Sequence, residues 1–74
     1  MSRLGNIRAA DIERVLRKLG YSLHHQRGSH KYYVKDRKII TVPVHKGKTL
    51  GKGLANKIIT KDIGITINEF EALK

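Results

Sequence analysis

No cysteine occurs among the 74 residues, so neither a disulfide framework nor a thiolate metal site can hold this chain together. Long apolar runs are missing too. The longest, residues 39–44, is broken by Thr41 and Pro43, far short of the ~20 residues that span a bilayer. The first ten residues lack the apolar stretch of a secretory signal. These features read as a soluble, cytoplasmic protein. Carboxylates are scarce as well: Asp11, Glu13, Asp36, Asp62, Glu69 and Glu71 are all there are. They fall on predicted helices and one turn, and no pair is placed as a magnesium site. A two-metal nuclease is disfavoured, and so is a carboxylate acid–base pair.

Positive charge is what the chain has in excess. Sixteen Lys and Arg against six Asp and Glu give a formal net charge of +10. A net charge of about 2–8 already suffices for the solubility of a small domain. The surplus points to a polyanionic partner, nucleic acid or an acidic protein surface. A chain this short buries roughly 60–65% of its unfolded surface, so it makes one domain, residues 1–74, around one thin core.

Residues 8–19 place Ile12, Val15, Leu16 and Leu19 at helical spacing. Gly20 stops that helix. Three segments of strand character follow, residues 21–27, 29–35 and 38–44, separated by Gly28 and by Asp36-Arg37. They predict an antiparallel meander. A second helix is expected over residues 53–61, with Leu54, Ile58 and Ala55 as its stripe. Thr66 and Glu69 have capping-box spacing ahead of a short third helix carrying Phe70 and Leu73. The order predicts an α+β fold, double-stranded-RNA-binding-like, αβββα plus a short C-terminal helix. Its helices pack on one face of a three-stranded antiparallel sheet, and the other face stays open.

His30 is the sharpest chemical candidate, in the run Arg27-Gly28-Ser29-His30-Lys31. An imidazole titrates near neutral pH, so it can take a proton from a ribose 2′-hydroxyl or give one to a leaving 5′-oxygen. Gly28 lets the backbone approach a phosphate, Ser29 offers a hydroxyl, and Arg27 and Lys31 can hold the anion. Strand alternation groups His30 with Tyr32 and Val34, expected on the helix-facing side. Tyr33 would then point away and could stack on a base, although both tyrosines can equally fill the two sheet faces. His24 and His25, adjacent on a strand, should point to opposite faces, and no His pair has metal-ligand spacing. No cofactor is expected. Gly47-Lys48-Thr49 resembles the end of a P-loop, but the glycine required five residues earlier is Val42. Lys46, Lys48 and Lys52 are instead expected to track a phosphate backbone from a basic, glycine-rich loop.

These residues bring a family into view. The chain resembles the HicA-type mRNA interferase toxins of bacterial and archaeal toxin–antitoxin pairs. The helix ends in Leu19-Gly20-Tyr21, and the Arg27-Gly28-Ser29-His30 turn follows. A strand then ends in Thr41-Val42-Pro43-Val44-His45, and the tail reads Gly64-Ile65-Thr66-Ile67-Asn68-Glu69-Phe70. The Gly-Ser-His turn followed by Val-Pro-Val-His is the specific part. The resemblance implies that His30 is catalytic, that RNA is cleaved, and that a HicB-type antitoxin silences the protein. Charge adds that this antitoxin should be acidic. Many relatives carry a second histidine where this chain has Lys31. The alternative from another class is a non-catalytic RNA-binding module, which would tolerate loss of His30. A DNA-binding helix-turn-helix is weaker still, because strands separate the first two helices.

Overall fold

The computed structural model describes residues 7–44 and 49–74. Lys46 and Lys48, expected to contact phosphates, lie outside the described residues, as does His45. The order is α1 (Ala9–Lys18), β1 (Ser22–Arg27), β2 (His30–Lys35), β3 (Lys38–Pro43), α2 (Lys52–Asn56) running into a π-helical segment (Lys57–Ile63), and α3 (Ile67–Leu73). The strands form one antiparallel sheet in the order β1-β2-β3. The predicted α+β, αβββα arrangement is the one observed.

Each boundary has a local cause. The Arg8 N–H donates to the Asp11 carboxylate at 2.9 Å, satisfying a free donor at the start of α1. At its other end Gly20 adopts φ +99. The Tyr21 N–H reaches the Leu16 carbonyl (2.9 Å) and the Gly20 N–H the Arg17 carbonyl (3.1 Å), a Schellman closure. Thr66 and Glu69 form the predicted capping box of α3, with reciprocal bonds of 3.0 and 2.9 Å.

The helices bury their stripes against one face of the sheet. Ile12, Val15 and Leu16 of α1, Ala55, Ile58, Ile59 and Ile63 of the second helix, and Phe70 of α3 meet Tyr33, Ile40 and Val42. Each of the Val, Leu, Ile and Phe side chains among them stabilises the fold by about 1.5–3 kcal/mol relative to leaving it in water. Leu54, expected in the stripe, is instead 41% exposed. The second helix runs two residues past the expected end, to Ile63, and is closed by Gly64; its widening to a π-helix after Asn56 is not predicted by the residue pattern. With more than four residues per turn, Lys57 and Asp62 come onto one side and pair at 3.1 Å.

The face assignment of β2 is corrected by the register. Tyr33 pairs with Ile40 and Lys31 with Val42, so the odd-numbered residues of β2 face the helices. His30, Tyr32 and Val34 lie on the open face, opposite to expectation. Tyr33 is fully buried and unavailable for stacking, and Tyr32 takes the outward position.

Candidate active site

Two tight turns position the site. Gly28 and Ser29 connect β1 and β2, with Gly28 at φ +58, a conformation that suits a residue without Cβ. The Gln26 amide donates to the Gly28 carbonyl at 3.0 Å, and the Val44 N–H to the Ser29 carbonyl at 2.6 Å. The residue before His30 is thus tied to the end of β3. His30 itself, exposed, pairs across the ladder with Arg27 on one side and Pro43 on the other. Cross-strand partners share a face. Arg27 and His30 therefore stand together on the open side.

Two histidines join them there. His25 pairs with Tyr32, and their rings stack at 4.4 Å between centroids. A bulge at His24 breaks the alternation of β1. The His24 ring consequently meets the edge of His25 at 5.3 Å, instead of pointing to the opposite face. His25 lies two residues along the sheet from the His30 pair, a diagonal neighbour at roughly 7–8 Å. Among the described residues no three His, Asp or Glu side chains form a metal-ligating group.

A groove of about 530 Å³ opens beside His30. β3 contributes Thr41 and Pro43 to it, and the second helix contributes Leu54, Lys57 and Asp62. Helix residues were not anticipated here, because nothing in the residue pattern shows the second helix running along the β3 edge.

Lys31 is not part of this arrangement. It faces α1 and binds the Glu13 carboxylate at 3.1 Å, on the other side of the sheet from His30. Strand alternation separates neighbours in sequence. Glu13, 7% exposed, also accepts the Tyr33 hydroxyl, and Arg17 lies over the Tyr33 ring with its guanidinium 5.8 Å from the centroid. Burial, then the Glu13 bond and charge, push the Tyr33 hydroxyl up to about 12. This buried network anchors α1 to the sheet. Lys52 is exposed at the start of α2.

The family model of the HicA toxin of bacterial toxin–antitoxin systems matches residues 9–65. The chain belongs to this family. The HicA match takes in α1, the whole sheet and the second helix. It includes the Gly28-Ser29-His30 turn and ends before α3, so the tail motif lies mostly beyond it. No curated protein matches the chain. Membership of the HicA family makes this the toxin of a pair and implies an antitoxin partner. No helix among the described residues is long and apolar enough to cross a membrane.

Proposed function

We propose that this HicA-family toxin is a metal-independent endoribonuclease, an mRNA interferase, and that His30 is its catalytic residue. The observation that carries the reading is the placement of His30. It is exposed on the open face, held by a tight turn, with the Arg27 pair on one side and a groove on the other. Gly28 and Ser29 support that turn. Arg27 and Lys52, with Lys46 and Lys48, supply positive charge to the RNA backbone.

The nucleophile is the RNA's own 2′-hydroxyl. His30 takes its proton while the 2′-oxygen bonds to phosphorus and the bond from phosphorus to the 5′-oxygen breaks. The departing 5′-oxygen takes a proton from water, the His30 imidazolium gives its proton back to solvent, and the products are a 2′,3′-cyclic phosphate and a 5′-hydroxyl. Arg27 stabilises charge gathering on the phosphoryl oxygens. This path needs one imidazole and no ion. Asp62, the carboxylate lining the groove, is engaged by Lys57.

The antitoxin is of HicB type, with an acidic contact surface, because opposite potentials steer docking onto a chain of net +10. Covering His30 silences it. Analysis of RNA ends tests the chemistry. Cyclic phosphate and 5′-hydroxyl ends are expected, whereas 5′-phosphate ends would reject the 2′-hydroxyl mechanism. A non-catalytic RNA-binding module would yield no cut ends at all.

A further inference from the structure

The groove beside His30 contains more than a phosphate site requires. Its walls include apolar side chains that a polyanion has no use for, and a carboxylate that would repel one. Ile39 is 63% exposed and Leu54 41%, both unusual for large aliphatic residues in so polar a chain. Both line the groove together with Thr41, whose side chain is small. Asp62, one of only six carboxylates, sits in the same groove within 3.1 Å of the Lys57 ammonium. The π-helical turn is what brings this donor and this acceptor side by side.

We propose that this groove is a nucleobase subsite that selects where the RNA is cut. The inference rests on the reading of His30 as the centre that handles the neighbouring phosphate. In this assignment a flat heterocycle lies against Ile39 and Leu54, which supply apolar contact to its faces. Its edge meets Lys57 and Asp62. An ammonium only donates and a carboxylate only accepts. The base that matches must offer a carbonyl beside an N–H along its pairing edge. Guanine and uracil do so. Adenine presents no carbonyl, and cytosine has no ring N–H on that edge. Single-stranded RNA is read in this way, by splayed bases contacted on face and edge.

Tyr32 stands next to the groove, one strand away from its Thr41 wall. It is the cross-strand partner of Thr41, and His25 covers one face of its ring. The 4.4 Å separation of the two rings is close to the spacing between strands of about 4.8 Å. The rings therefore stand side by side, and the second face of Tyr32 is turned toward Thr41. His25 is a positioning residue in this arrangement, acting on the base through Tyr32.

The test has two arms. In the first, cut sites on a long RNA of mixed sequence are mapped for the wild type, Asp62→Asn and Leu54→Glu, each checked for folding by circular dichroism. The wild type should prefer guanine or uracil at one position next to the cut, and Asp62→Asn should lower that preference about tenfold. An unchanged preference in both variants overturns the subsite. In the second arm, methyl resonances are followed as 2′-O-methyl oligonucleotides, which cannot be cut, are added to the full chain. Shifts at Ile39, Thr41 and Leu54 that depend on base identity support the subsite even if no RNA is ever cleaved, in which case only the catalytic reading falls. Shifts confined to other surfaces overturn it. Variants that lose antitoxin binding while keeping the base preference also overturn it, because the groove is then a protein interface.

Discussion

At the residue scale, the difference between His30 and Lys31 decides the chemistry available. They are adjacent, yet one reaches the open face and the other is spent on Glu13. Lys31 therefore serves the attachment of α1. Tyr33 belongs to the same network, and its titration gives a pH prediction. Its hydroxyl is raised from 10.0 to about 12 in the folded protein. The folded state thus holds this proton more tightly than the unfolded state does. The resulting stability is fully present below pH 10, the ordinary value, and is lost as pH rises through about 12. Phenolate absorbance should show a late tyrosine step near pH 12, and Tyr33→Phe should remove that late step. Loss of the hydroxyl also deprives a buried carboxylate of a donor, at a cost of about 1–3 kcal/mol in denaturant unfolding. A variant as stable as the wild type, with the late step retained, would contradict the network.

At the element scale, the sheet was largely legible and its facing was not. The turn residues Gly28 and Asp36-Arg37 gave all three strands to within two residues at each end. The facing failed because β2 is ambiguous by pattern. Tyr32 and Val34 look like an apolar face, whereas the true inward set is Lys31, Tyr33 and Lys35. Lysine stems disguise it, with the Lys31 and Lys35 ammonium groups tied to Glu13 and the Leu19 carbonyl. β3 carried the answer. Ile40 and Val42 are the plain apolar set there, and a two-residue turn at 36–37 pairs Tyr33 with Ile40. Counting across the turn would have placed His30 on the open face. The π-helical segment left no such trace, because its spacing arises from packing. Nor could the groove be read, since its two walls lie far apart in sequence.

Glycines give the element-scale prediction. Gly28 has open space around it but a φ of +58, so Gly28→Ala should cost about 1–2 kcal/mol through backbone strain alone. Activity should fall with it, because the turn sets His30. Gly53 also has open space and lies within α2 without a positive φ. Gly53→Ala should therefore raise stability by about 0.5–1 kcal/mol. Thermal unfolding of the two variants checks both signs. Equal shifts in one direction would show that backbone conformation does not control the turn.

At the scale of the whole molecule, the core and the charge divide the labour. The helices fill one face with the core, and the open face carries His25, Arg27, His30 and Tyr32. In the proposed reading, the net charge of +10 draws RNA in and the open face meets it. RNA affinity should accordingly fall with salt. If about three phosphates of a single strand are neutralised, a fourfold rise in salt should weaken binding about twenty-fold. Affinity that stays flat over that range would reject the electrostatic account.

The central claim concerns His30, and one measurement addresses it most directly. Purified wild-type and His30→Ala protein are incubated with a long RNA in the presence of EDTA, and the intact RNA is followed over time. The wild type should cut the RNA, and His30→Ala should leave it whole while keeping the wild-type circular dichroism spectrum. A folded His30→Ala protein that cuts at the wild-type rate would contradict the assignment of His30. Wild-type activity that disappears in EDTA and returns with magnesium would contradict the metal-independent mechanism.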